Sequence, residues 1–191
     1  MVILFPYDTD DLDTLAEVKV QSGLNTPILK NYDYIPLPVR KIPARKRIPV
    51  LRQYIDRTDF LGLVSGTYTF MRPWAFFTMV YSISKNRPLM DIDTTFVRDG
   101  WDNELTSGPN PFTRVRYAIE RSRVNFYTVD SVLEVVWRKR LSLPRSQVTY
   151  RFEGKSGFMN EVGLRHVWTE DRADQYFPLW VEEALYLAGK G

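Results

Sequence analysis

Two apolar runs, Phe60–Tyr68 and Trp74–Ile83, stand close together between strong breaks, and with their flanks they constrain this chain more than any other stretch. The flank before them, Val50-Leu51-Arg52-Gln53-Tyr54-Ile55, reads as a strand, and Asp56-Arg57-Thr58-Asp59 as a turn. In the first run Phe60, Leu61, Val64 and Tyr68 recur at i, i+1, i+4 and i+8, which is one face of a helix capped by Thr58 or Asp59. Gly62 and Gly66 weaken that helix and allow a neighbour to approach closely. Pro73 suits the first turn of a second helix, in which Trp74, Phe77, Val80 and Tyr81 share a side. Asn86 suits a left-handed cap, Pro88 stops any continuation, and Pro88–Ile92 closes the block as extended chain. These readings add up to a small β-α-α-β module over residues 48–97.

The flanking regions carry different patterns. Residues 1–47 read as an extended N-terminal arm, with one short helix candidate at Leu12–Val20. Pro27, Pro36, Pro38 and Pro43 forbid regular helix there and disfavour a central strand. Tyr32, Tyr34, Ile35 and Leu37 need burial, and Arg40, Arg45 and Arg47 add cations. These seven are the candidate partner-binding residues of an arm laid across a neighbouring chain. Residues 98–111 are turn chemistry in series, from Asp99-Gly100 to Asn110-Pro111. After them the period becomes two. Val115/Tyr117/Ile119 alternate with Arg114/Arg116, Leu133/Val135/Trp137 with Glu134/Val136/Arg138, and Val148/Tyr150/Phe152 with Thr149/Arg151, and Val124–Val129 reads as a further strand. An antiparallel sheet with one polar face is expected. Gly154–Gly163 reads as a flexible connection, His166-Val167-Trp168 as an added strand and Tyr176–Ala188 as an amphipathic closing helix. The fold class is therefore α+β in three parts: the arm 1–47, the module 48–97, and a β-rich C-terminal domain 98–191 with a terminal helix.

Function is bounded mostly by exclusion. The chain has no cysteine, which removes disulfides, thiolate metal sites and cysteine nucleophiles. Its single histidine, His166, is read as structural, and no Gly-x-Ser-x-Gly elbow is present. Asp91 and Asp93, two apart on an extended segment, share a face and could hold a cation or act as an acid/base pair, but two such carboxylates are more often a polar edge. Glu120, Asp130 and Glu134 have no fixed separation, and Gly154-Lys155-Ser156-Gly157 lacks the spacing of a phosphate loop. No catalytic residue, cofactor or metal is expected. The run Val2–Phe5 stops at Pro6 without a basic flank, unlike a secretory signal, and no stretch reaches the length of a membrane helix. Aromatic residues make up 14% of the chain, which favours large contact surfaces. The net charge of +3 is unevenly placed, acidic over residues 8–17 and basic over 40–57.

The central block resembles the LysM-like family. The matching residues are the strand Val50–Ile55, then Asp59-x-Leu61-x-x-Val64-Ser65-x-x-x-Tyr68, Trp74 opening the second helix, Asn86 closing it, and Pro88-Leu89-Met90-Asp91-Ile92. The usual Gly before the Asp is missing, and Thr69-Phe70 replaces the common Gly after the Tyr. The match covers about a quarter of the chain. Arg45-Lys46-Arg47-Ile48-Pro49-Val50 followed by Tyr54, behind an N-terminal arm, is similar to baseplate wedge proteins of contractile-tailed phages. That resemblance implies a non-enzymatic structural subunit of a tailed-phage virion, assembled in the host cytoplasm. Its partners would be other tail proteins and copies of itself. Two alternatives stay open: a peptidoglycan-binding LysM module, and a phage head or neck protein contacting nucleic acid through the basic segments.

Overall fold

The computed structural model describes residues 1–8, 32–94, 108–129, 137–168 and 173–190. In chain order the elements are β1 (Val2–Tyr7), β2 (Asp33–Pro38), α1 (Ala44–Arg57), β3 (Phe60–Ser65), α2 (Pro73–Ser84), β4 (Leu89–Asp93), β5 (Val115–Glu120), β6 (Arg123–Val129), β7 (Trp137–Pro144), β8 (Ser156–Phe158), β9 (Leu164–Val167) and α3 (Ala173–Leu187). The protein is mixed α+β, with two sheets among the described residues. Strands β2-β1-β3-β4-β9 form a sheet in which every neighbouring pair is parallel, and β7-β6-β5-β8 form an antiparallel one.

Alternation along the parallel strands sorts their side chains into two cores. Leu4, Leu37, Leu61, Leu63 and Leu89 face one way and pack with Leu51 and Ile55 of α1 and Trp74, Met79 and Ile83 of α2. Ile3, Phe5, Phe60, Val64, Met90 and Ile92 face the other way and pack with Phe177, Trp180 and Val181 of α3. Both faces of the sheet are therefore covered, as an all-parallel sheet requires. The antiparallel sheet joins the first core through Val115, Tyr117, Val124 and Phe126.

The central block departs from the sequence reading in half of its elements. Val50–Ile55, expected as a strand, lies in the helix α1. Leu51 and Ile55 are four apart and buried, while Arg52, Gln53 and Asp56 face water, so burial follows the helical period. Pro49 sits inside α1 and removes one helical hydrogen bond, which sequence alone reads as a break. Phe60–Ser65, expected as a helix, is the strand β3, and all six residues are buried. A strand covered on both faces is apolar at every position, so periodicity does not distinguish it from a buried helix. The order over residues 44–93 is thus α-β-α-β, and not the β-α-α-β order of the LysM-like pattern.

The second half of the block agrees with the reading. Pro73 opens α2 at its first turn. Asn86 is left-handed at φ 52°. The Asn86 N–H donates to Ile83 O and the Arg87 N–H to Ser82 O, both at 2.9 Å, which closes the helix in a Schellman motif.

Of the extended arm expected for residues 1–47, residues 9–31 lie outside the described residues, and the described ends join the fold. β1 lies inside the parallel sheet, and β2 is its edge strand. Pro36 and Pro38 are tolerated in β2 because an edge strand leaves one side of its ladder unpaired. Pro6 is tolerated in β1 because the β1–β3 register covers Ile3 and Leu4 and stops before it. The helix candidate Leu12–Val20 and the turn series 98–107 lie outside the described residues.

In the C-terminal part, β5 alternates as expected, and the further strand expected at Val124–Val129 is β6, which is buried along most of its length on both faces. The strand reading at Leu133/Val135 falls outside the described residues, and Trp137 opens β7. Val148–Phe152 is not a strand, although Val148 and Tyr150 are buried and their neighbours exposed. Its backbone is held by other elements: the Thr149 N–H donates to Asn86 Oδ1 at 2.9 Å and the Arg151 N–H to Leu187 O at 2.8 Å. The flexible connection expected at Gly154–Gly163 contains β8 and a 3-10 turn at Met159–Glu161. β9 pairs with β4, so the division expected at residue 97 crosses the parallel sheet. Among the described residues no helix is long and apolar enough to cross a membrane.

Candidate functional site

All five strands of the parallel sheet end at the same edge, and on β3 and β4 the side chains of the face shared with α1 and α2 change from apolar to polar as they approach it. On β3 the series is Leu61, Leu63, Ser65; its register partners on β4 are Leu89, Asp91, Asp93. Arg165 of β9 stands beside Asp91. The Ser65 hydroxyl donates to Asp91 Oδ1. Arg165 donates to Asp93 Oδ2 from Nε at 2.9 Å and from Nη2 at 2.5 Å, and its Nε lies 3.5 Å from Asp91 Oδ2. The Asp91 side chain has no solvent exposure, while Arg165 retains 18%.

Burial pushes the Asp91 carboxyl up to about 7, against the opposing pull of the Arg165 guanidinium and the Ser65 hydroxyl. A sealed carboxyl of this kind organises its neighbours. The Thr94 hydroxyl donates to Ser65 O at 2.9 Å, Arg165 Nη2 donates to Gly108 O at 3.1 Å, and the Gly108 N–H donates to Gly66 O at 3.3 Å. The cluster ties the chain leaving β3 to the chain entering β5. Gly108 is required at this tie, because a Cβ there would lie 2.4 Å from Thr67 O.

The second part of the edge lies at the end of β1. Asp8 follows Tyr7 there, with 4% of its side chain exposed. Arg72, just before α2, places Nε 3.1 Å from Asp8 Oδ2, and Arg40, in the 3-10 turn after β2, places Nε 3.5 Å from Asp8 Oδ1. Both arginine side chains reach water, at 30% and 44% exposure. Arg72 also lies over the ring of Tyr68, 5.9 Å from its centroid, and Tyr68 is half exposed. One buried carboxylate thus orients two cations where β1 and β3 end.

Of the seven candidate residues from the sequence, Arg40 is at this edge. Tyr32 packs edge-on against Phe177 at 5.9 Å, Tyr34 packs on Phe5 at 6.4 Å, and Leu37 is buried in the core. Ile35 packs against that core from its margin. Arg45 is exposed on α1, and Arg47 donates from Nε to Ile42 O at 3.0 Å. His166 stacks on Trp180, with ring centroids 4.2 Å apart and planes within 4°. Asp91 and Asp93 do share a face, joined by Arg165. Among the described residues no group of three His, Asp or Glu stands ready to hold a metal ion.

Asp8, Ser65, Arg72 and Arg165 are the residues that the sequence reading missed. A signal for three of the edge positions was present: apolar runs ending in Asp8, in Ser65-Gly66 and in Asp91-x-Asp93 repeat one pattern, that of a buried strand delivering polar groups to its carboxyl end. Neither a protein-family model nor a curated protein sequence matches this chain.

Proposed function

We propose that this chain binds a small phosphorylated ligand of the nucleotide type in the crevice at the carboxyl ends of β1 and β3. In open sheets of parallel strands, ligands sit beyond the carboxyl edge where the strand order reverses. Here the order β2-β1-β3-β4-β9 reverses between β1 and β3. That step is an argument from fold geometry. The chemistry comes from the observation that carries the reading: Arg40 and Arg72 drawn onto the buried Asp8 at that end of the sheet. A guanidinium fork matches phosphate oxygens, and the buried carboxylate beside it holds the two forks in place. Tyr68, exposed beside Arg72, offers a ring on which a base can stack. The sealed position of Asp91 supports binding without turnover, because its carboxyl is occupied by Ser65 and Arg165.

Calorimetric titration with adenosine diphosphate, adenosine and inorganic pyrophosphate tests this reading. The diphosphate is expected to bind tightest, and Arg72→Ala to weaken it about tenfold or more. No saturable binding of any of the three at millimolar concentration would overturn it.

A second reading keeps the positional role, a virion subunit holding its neighbours. It is favoured by the outer face of α3, where Tyr176, Leu179 and Tyr186 are 44%, 52% and 55% exposed along one side. The native mass separates the two readings. A stable monomer, unchanged by Leu179→Glu and Tyr186→Glu, would count against the positional role and leave ligand binding standing.

A further inference from the structure

The side of α2 that faces the antiparallel sheet does not meet it throughout. Between α2, α1 and strands β6 and β7 lies a groove of about 620 Å3, within the range of small-molecule sites, ~300–1,000 Å3. Its floor is apolar, made by Phe76, Val80, Leu141 and Leu143. Phe77 and Tyr81, one helical turn apart on α2, stack with centroids 5.3 Å apart and planes within 14°, so they present one flat wall.

The rim is cationic. Arg52 comes from α1 and lies 5.6 Å from the centroids of both wall rings. Arg140 comes from β7 and donates from Nε to Thr128 Oγ1 at 2.9 Å. Lys85 closes the far end, 3.1 Å from Asp56 Oδ1, and the Tyr81 hydroxyl donates to the same carboxylate at 3.1 Å. Among the described residues, none that lines the groove is an Asp or a Glu. Asp56 stands outside the groove and is engaged by Lys85 and Tyr81.

We propose that this groove is a binding site for a planar aromatic anion, a ring system carrying one carboxylate or sulfonate. The rings would lie flat between the Phe77–Tyr81 wall and the leucines of β7, where apolar area leaves water. The acid group would sit at the rim on Arg52, whose guanidinium already lies over the wall. An uncharged ligand would gain the floor and lose the rim. A long flexible acyl chain would gain little from a flat wall. The inference uses none of the residues of the β1–β3 crevice and stands independently of the nucleotide reading.

The test compares two probes with the same rings. 8-Anilinonaphthalene-1-sulfonate carries the acid, and N-phenyl-1-naphthylamine lacks it. Fluorescence titration of the folded chain is expected to give one saturable site for the sulfonate, about tenfold or more tighter than for the neutral amine. The melting temperature should rise with sulfonate concentration, which shows binding to the native state and not to an unfolded one. Arg52→Ala is expected to bring the two probes within about threefold of each other. Leu143→Trp, which fills the floor, should abolish both, with a cooperative melt confirming that this variant is folded. Phe77→Ala gives a second route to the same loss should Leu143→Trp not fold. Arg72→Ala should leave sulfonate binding unchanged. Equal affinity for both probes overturns the proposal and makes the groove an indifferent apolar surface. Loss on Arg72→Ala overturns it by moving the probe to the crevice, and a ratio unchanged by Arg52→Ala overturns it as well.

Discussion

Strands β3 and β5 have the same length and opposite legibility. β3, Phe60-Leu61-Gly62-Leu63-Val64-Ser65, is buried at every position. β5, Val115-Arg116-Tyr117-Ala118-Ile119-Glu120, buries Val115 and Tyr117 and exposes Arg116 and Glu120. The difference is not one of propensity alone, since β3 carries Phe60 and Val64 and β5 carries Val115, Tyr117 and Ile119. It is one of surroundings. β5 has one wet face, so its composition alternates, and β3 has helices on both sides of its sheet, so nothing alternates. A sequence writes secondary structure by where water is, and a strand without water carries no period.

The comparison predicts two patterns of mutational sensitivity. In β3, neighbouring truncations should both be costly: about 3–5 kcal/mol for Phe60→Ala and about 2–5 kcal/mol for Leu61→Ala. In β5, neighbours should split: about 3–5 kcal/mol for Tyr117→Ala and within about 0.5 kcal/mol for Arg116→Ala. Urea midpoints measure all four. Equal sensitivity of Tyr117 and Arg116 would break the contrast.

The polar end of the parallel sheet gives the next largest effect, and it depends on pH. The Asp91 carboxyl titrates higher in the folded protein than in the unfolded chain, because burial disfavours its charge. Its contribution is therefore fully present below the unfolded value and is lost as pH rises through about 7. Asp91→Asn keeps the shape without the charge. Between pH 5 and pH 8 the wild type should lose about 2–4 kcal/mol relative to Asp91→Asn. Parallel stability curves for the two proteins would show that Arg165 compensates the charge completely.

Gly62 sharpens the contrast from inside β3. A Cβ at this position would lie 2.3 Å from Phe5 Cε1, so Gly62→Ala should cost about 1–3 kcal/mol by overpacking. Ala118 of β5 is half-buried, and Ala118→Ser is expected to stay within about 0.5 kcal/mol. Thermal melts of the two variants decide it.

The smallest effect concerns the joint between the two regions. Asn86 ends α2 at positive φ, and its side chain holds residues 147–149: Nδ2 donates to Gln147 O at 2.8 Å, and Oδ1 accepts from the Thr149 N–H. Asn86→Gly keeps the backbone freedom and loses the two bonds, at a cost of about 1–2 kcal/mol. Asn86→Ala loses both and should cost about 1 kcal/mol more. Identical values for the two variants would show that the left-handed turn contributes nothing measurable.

What was legible follows from local rules. Pro73 at the start of α2, Asn86 at its end, the alternation of β5, and the closing helix α3 each depend on a residue's own backbone preference or on a face in contact with water. What was misread depends on neighbours distant in sequence. Val50–Ile55 reads as a strand in the sequence, yet packing of Leu51 and Ile55 under the sheet makes it helical despite Pro49. Proline-rich residues 33–38 became a strand because the edge position left their missing donors unneeded.

The candidate site divides in the same way. Asp91 and Asp93 were visible as two carboxylates on one face, because alternation along an extended chain is local. Asp8 and Arg72 are 64 positions apart, and Asp91 and Arg165 are 74 apart. Their meeting follows from strand order, which brings the ends of β1, β3, β4 and β9 to one edge. The sequence by itself determined where chain could turn, cap and alternate, since those preferences act within a few residues. Only the tertiary structure decided which buried run is strand and which charges share an edge, because burial and ion pairing depend on partners that chain distance does not reveal.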